Sequence, residues 1–270
     1  MEMTELEKNW LHLEEDIFHH YMWDYISNKG TWQEIFVIFV QYNTSYYVLK
    51  ALNKIGLLNH FYKENKRIAL CVSEDNWKGK IENIQSTIKR EKEYYIANLT
   101  KSYVFKAGLY IVISKIEDNN DIAILLLNDN PDIHLINRQE NYSKFYDPDG
   151  RLLMDHFKLS FSGRISYDEV LCLSKNDYKK IFYIIPLREI TTLSLVLLGL
   201  FYYENKNTIS AKEKKEIEDL KNYIIKTRKY SLTYKTTKEI IHKTMPYISL
   251  IKRKEPQLEA IRKFFNIASI

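Results

Sequence analysis

The chain has 270 residues, of which 45% are hydrophobic and 28% charged, with a formal net charge of +5. That balance excludes a disordered chain and allows one large domain or two small ones. The two cysteines, Cys71 and Cys172, lie far apart in sequence, so neither a disulfide framework nor a Cys-ligated zinc site can be built within one chain, and a reducing, cytoplasmic setting is expected.

The N-terminal third reads as helical. Thr4 and Glu7 form a T-x-x-E capping box, and Trp10, Leu13, Ile17, Tyr21 and Tyr25 follow at helical spacing, predicting one amphipathic helix that stops at Asn28–Gly30. A second box at Thr31 and Glu34 opens a strongly apolar helix, and a third helical stripe runs from Tyr46 to Leu58. The acidic N-terminus lacks the positive charge and apolar core of a signal peptide, so no export signal is expected. A short apolar run at Ile68–Val72 and the polar segment after it suggest a domain boundary near residue 80.

From Ile81 to Phe105, residues Ile84, Ile88, Tyr95, Leu99 and Tyr103 or Val104 recur at three- or four-residue intervals, predicting a long helix. Ala107–Ile116 and Asp121–Asn128 are strand candidates joined by Glu117-Asp118-Asn119-Asn120, which predicts an antiparallel hairpin. Asp129–Gly163 is polar and punctuated by Pro and Gly, with a short strand possible at Ile133–Asn137 and a strong turn at Asp147-Pro148-Asp149-Gly150. Ser166 and Glu169 start a short helix that ends near Ser174.

The stretch from Lys180 to Ile225 organises the expected fold. Ile181–Leu187 is rich in β-branched and aromatic residues and carries Pro186 near its end, as a strand terminus would. Thr191–Tyr203 is apolar at nearly every position, as a strand covered on both faces would be, and the longest apolar run, Ile190–Tyr203, cut off by Arg188 and Glu189, falls short of the roughly 20 residues that span a bilayer, so no transmembrane helix is expected. Ser210 and Glu213 then cap a helix carrying Ile217, Leu220 and Ile224.

This order, with Pro186-Leu187, a polar turn, an apolar strand and the Ser210–Glu213 helix, resembles the C-terminal half of a GAF domain over about residues 82–228; the usual Gly at the start of the second strand is replaced by Thr192–Ser194. The resemblance implies an α+β fold with a central antiparallel sheet flanked by helices in a GAF-like sensor domain (81–230), to which the residues on either side add an N-terminal helical domain (1–80) and a basic helical C-terminal tail (231–270). It also implies a non-catalytic regulatory protein that binds a small-molecule effector or a protein partner, with a homodimer as the expected assembly. Tyr110, Asp147, Tyr183 and Phe201 are the candidate ligand-binding residues, since a pocket for a planar effector is mostly apolar with a few polar groups.

Lys226, Arg228, Lys229, Lys235, Lys252, Arg253 and Lys254 make the region after Ile225 basic, whereas residues 1–34 are acidic. Two readings follow, docking of the two ends on each other or binding of nucleic acid through phosphate contacts. His12, Asp16 and His20 share one helix face, but the same spacing arises on any solvated face, so no metal site is assigned. None of the seven glycines forms a G-x-G or P-loop arrangement and no G-x-S-x-G elbow is present, so neither cofactor nor catalytic residue is expected.

Overall fold

The computed structural model describes residues 3–75, 81–119, 121–138, 144–146, 149–150, 152–253, 255 and 258–259. The chain forms two compact units. One comprises Met1–Lys8, Thr44–Tyr146 and Leu152–Phe182; the other comprises Asn9–Asn43, Asp147–Arg151 and Tyr183–Ile270.

The first unit is built on a mixed sheet with strand order β6-β8-β3-β2-β4-β5-β9, where β2 is Thr87–Arg90, β3 Tyr94–Phe105, β4 Leu109–Ile116, β5 Ile122–Asn128, β6 His134–Asn137, β8 Leu152–Ser166 and β9 Val170–Leu173. β1 (Ile68–Cys71) runs parallel to β4, and β7 (Lys144–Tyr146) pairs with β8. The β4–β5 hairpin is antiparallel, with Leu109 opposite Asn128 and Lys115 opposite Ile122, as its turn chemistry predicts. Helices α4 (Ser45–Ala51), α5 (Ile55–Lys63) and α6 (Lys175–Phe182) belong to this unit.

The helix expected over 81–105 is instead a single 3-10 turn, Ile81–Asn83, followed by two strands. A spacing of four is also twice a spacing of two, and the residues between decide: Tyr95, Ala97, Leu99 and Lys101 are buried while Ile96 and Asn98 are exposed. The Ser166–Glu169 capping box does form, yet it opens only a 3-10 turn, Tyr167–Glu169, because Val170–Leu173 is taken up as the strand beside β5.

The second unit is a helical bundle of α2 (Glu15–Lys29), α3 (Gln33–Asn43), α7 (Ile184–Asn205), α8 (Ala211–Tyr230) and α9 (Tyr234–Ile248). The Thr4–Glu7 box caps only a short helix, α1 (Glu5–Trp10), and the continuous helix expected through Tyr25 breaks before α2. The two strands expected at Ile181–Leu187 and Thr191–Tyr203 are mainly one helix, α7, of 22 residues. An apolar run without periodicity fits a fully buried helix as well as a strand, and here α2, α3, α8 and α9 surround it. Pro186 sits in its first turn, where no N–H donor is needed. Thr191, Thr192 and Ser194 turn their hydroxyls back onto the carbonyls of Leu187, Arg188 and Ile190 at 2.8–3.0 Å, which satisfies them inside the core.

The span Lys175–Asn205, which holds α6 and α7, is long and apolar enough to cross a membrane, but 78% of its most apolar window is buried inside the protein, as in the core helix of a soluble protein. Gly30 ends α2 in the left-handed region, φ +67°, beneath the ring of Tyr203: a Cβ there would lie 2.3 Å from Cε1.

Candidate functional site

In the first unit the most unusual geometry lies at a bulge in β3, where the register with β8 shifts between Lys101 and Val104. Tyr103 has φ +58°, a conformation that costs an aromatic L-residue on the order of 1–3 kcal/mol and persists only where its surroundings hold it. The ring is left 42% exposed. The Arg138 guanidinium lies over it at 4.0 Å and the His156 ring meets it edge-on at 6.3 Å.

What holds the bulge is the segment leaving β1. Ser102 donates its amide to the Ser73 carbonyl at 2.7 Å and its hydroxyl to Asp75 Oδ1 at 2.5 Å. Asp75 also receives Lys158 Nζ at 2.8 Å and Arg138 Nη1 at 3.3 Å; Lys158 above all, then Ser102 and Arg138, hold its carboxyl far below the usual range. Beneath lies a buried ion pair, Lys101 Nζ to Glu74 Oε1 at 2.6 Å. Glu74 further accepts the amides of Gln85 and Ser86 at 2.6 and 3.0 Å. Burial alone would raise the Glu74 carboxyl, but Lys101 and those amides outweigh it and lower it, while burial depresses the Lys101 ammonium despite its partner. Arg138 and Lys158 both bond Asp75, and the Arg138 guanidinium lies over an exposed aromatic ring. That donor set fits a planar ligand carrying negative charge.

The second unit has its own polar core. Glu15, half-buried, accepts ion pairs from Arg228 Nε at 2.8 Å and Arg188 Nη1 at 3.2 Å. Arg228 also donates to the Arg188 carbonyl, to Thr191 Oγ1 at 2.8 Å and to Asn43 Oδ1. Thr192 Oγ1 accepts from Asn43 Nδ2 at 3.0 Å and lies 3.2 Å from His19 Nε2. Burial, then the charge of Arg228, push His19 well below the ordinary imidazole value, so it is neutral. Burial likewise lowers Arg228 to about 9, with Arg188 adding repulsion. Glu189, half-buried one residue beyond Arg188, is raised to about 7 by desolvation against the opposing pull of Arg228.

The sequence-predicted residues are dispersed. Tyr110 is fully buried in β4, where its hydroxyl accepts the Ala107 amide at 3.2 Å; it is a core residue. Tyr183 is 61% exposed just before α7, and Phe201 is buried in α7 against Tyr247. Because Tyr183 and Phe201 are not on strands, the three do not line one face of a sheet. Asp147 lies outside the described residues, as does Lys254. Of the basic set, Arg228 is buried in the polar core, Lys229 pairs with Asp16 at 2.5 Å and Arg253 with Glu204 at 3.2 Å, while Lys226, Lys235 and Lys252 are exposed. Arg228 is therefore unavailable to phosphate. Neither Tyr103 nor the Glu74–Lys101 pair carries a motif in sequence. The one available signal is a lysine at an inward position of an alternating strand.

No family model matches the chain, and no curated protein matches it. Solved structures do. Butyryl-CoA dehydrogenase from Megasphaera elsdenii aligns over 100% of this chain and 86% of its own, at 12% identity and TM-score 0.67. FkbI, described as acting in biosynthesis of the methoxymalonyl extender unit of a polyketide immunosuppressant, covers 99% of this chain and 83% of its own at 12% identity and TM-score 0.63. A glutaryl-CoA dehydrogenase from Mycobacterium smegmatis in complex with FADH2 covers 97% and 82% at 11% identity and TM-score 0.60. The fold is thus that of the acyl-CoA dehydrogenases. This overturns the GAF-like fold, and with it the sensor function, the non-enzymatic assignment and the signalling effector that the resemblance implied.

Proposed function

We propose that this protein is a flavin-dependent oxidoreductase of acyl thioesters, with the Tyr103 ledge forming part of its flavin-binding surface. The observation that carries the reading is Tyr103 itself: a strained backbone, fixed in a rigid sheet, that keeps an aromatic ring exposed beside two cations. The fold supports it, since the structural neighbours include acyl-CoA dehydrogenases and one of them is described with FADH2. A bound flavin would supply hydride acceptance. The chain's own residues supply binding: Tyr103 offers a planar face, Arg138 and Lys158 offer positive charge toward phosphate, and Asp75 holds both cations in place. The free thiols of Cys71 and Cys172 support a reducing, cytoplasmic setting as part of the same proposal.

The test is titration of the purified protein with FAD, followed by flavin absorbance and fluorescence, and then acyl-CoA-dependent bleaching of an artificial electron acceptor. Saturable binding that weakens about tenfold or more in Tyr103→Ala and Arg138→Ala, near 1.4 kcal/mol each, is the expected result. Absence of saturable FAD binding to a folded protein would overturn the reading.

A further inference from the structure

We infer that the buried Glu74–Lys101 pair is a positioning element that fixes the Tyr103 ledge for a flavin; the inference rests on the flavin reading above. The pair lies two residues before Tyr103 on one strand and one residue before Asp75 on the segment that crosses it. Each partner is tied to a different piece of backbone. Lys101 Nζ reaches the Val72 carbonyl at 3.3 Å, and Glu74 accepts the Gln85 and Ser86 amides. Ser86 in turn bonds Thr100 twice, its hydroxyl donating to the carbonyl at 3.1 Å and accepting from the amide at 3.0 Å.

Three chain segments therefore converge on one ion pair directly under the bulge. A buried ion pair rarely adds net stability over apolar residues of similar size, and its best-attested use is to specify one arrangement among several. Here the arrangement specified is the one in which Ser102 meets Ser73 and Asp75, and Tyr103 enters the left-handed region. Glu74 and Lys101 are 8% and 0% exposed, so neither is placed to touch a ligand on the outer surface; they act through Tyr103 and Asp75.

The test uses the full chain carrying Glu74→Gln together with Lys101→Met, which removes both charges and leaves no buried ion unpaired. Two quantities are read: hydrogen exchange of the Ser102 amide without ligand, and FAD affinity by fluorescence quenching. The expected result is a thermal midpoint close to that of the parent, Ser102 exchange at least tenfold faster, and FAD binding weakened at least tenfold. Should the double variant not fold, Glu74→Gln with Lys101→Gln, which again leaves no buried charge and keeps a donor on the side chain that reaches the Val72 carbonyl, gives the same two readings. Unchanged Ser102 exchange overturns the inference whatever the flavin result. Faster exchange with parent-like FAD affinity also overturns it, by separating the pair from binding. If the parent itself fails to bind FAD, the flavin reading falls and the inference falls with it, while the exchange data still report whether the pair orders the bulge.

Discussion

Arg67 and Glu7 meet in a two-point ion pair, Nε to Oε1 and Nη2 to Oε2, both at 2.8 Å, with both side chains almost fully buried. Arg67 also donates Nη1 to the Leu153 carbonyl at 2.9 Å, and Glu7 Oε2 accepts the Thr4 amide at 2.7 Å. The pair thus ties the first helical turn of the chain to the start of β1 and to β8. Removing one partner strands a buried charge, so Glu7→Ala should cost about 3–5 kcal/mol in urea unfolding. Glu7→Ala and Arg67→Met together should cost clearly less than the sum of the single changes. Additive losses would show that the two side chains do not act as a pair.

The bundle contains two groups whose titrations oppose each other. His19 is depressed in the folded state, so its contribution is present above the unfolded value near 6.5 and is lost as pH falls through that region. Glu189 is raised from 4.5 to about 7, so its contribution is present below 4.5 and is lost as pH rises toward 7, by at most about 3 kcal/mol. Glu189→Gln should therefore steepen the rise of stability with pH between about 5 and 7 and stabilise the protein at pH 8. His19→Asn should flatten that rise. Chemical denaturation at pH 5, 6, 7 and 8 reads both, and identical pH profiles for parent and variants would refute the assignment.

Gly30 combines a left-handed backbone with a ring in the space a Cβ would need. Gly30→Ala must pay backbone strain of about 1 kcal/mol and displace Tyr203 as well, for a total loss of about 2–4 kcal/mol in thermal or urea melts. The contrasting control is Gly56→Ala, where no atom lies within 4 Å of the added Cβ and the change should be small or favourable.

Ser210 accepts the Glu213 amide at 3.2 Å and Glu213 returns a bond to the Ser210 amide at 2.7 Å. Ser210→Ala should cost on the order of 1 kcal/mol. An unaltered denaturation midpoint would mean that the box contributes nothing at this exposed helix start.

The parts legible in sequence are those fixed by local chemistry. The Ser210 and Thr4 boxes, Gly30 at the end of α2 and the β4–β5 hairpin all depend on residues within a few positions of one another. The failures share a cause too. Ile184–Phe201 carries no periodicity because neighbours from distant parts of the chain cover all its faces, so strand and helix look alike. In β3 the inward position at Lys101 is filled by a lysine, which breaks the apolar alternation that would have marked the strand, and its reason for being there, Glu74, lies 27 residues away. The Tyr103 ledge was invisible for the same reason: a left-handed tyrosine has no motif, only a tertiary cause.

The order of the two units along the chain bears on how the protein is made. Residues 9–43 and 183–270 belong to one unit, and almost everything between them belongs to the other. On the ribosome, α2 and α3 emerge long before their partners. Glu15 and Asp16 wait for Arg228 and Lys229, and Ile26 waits for Gly199, while the whole β-sheet is synthesised in the interval. The sheet can fold as soon as it is complete, but the first helices must keep the apolar faces of Phe18, Met22 and Ile38 shielded until the helices after residue 183 have been made. Synthesis therefore leaves a window, absent from refolding of the intact chain, in which those two helices are the natural target of a chaperone.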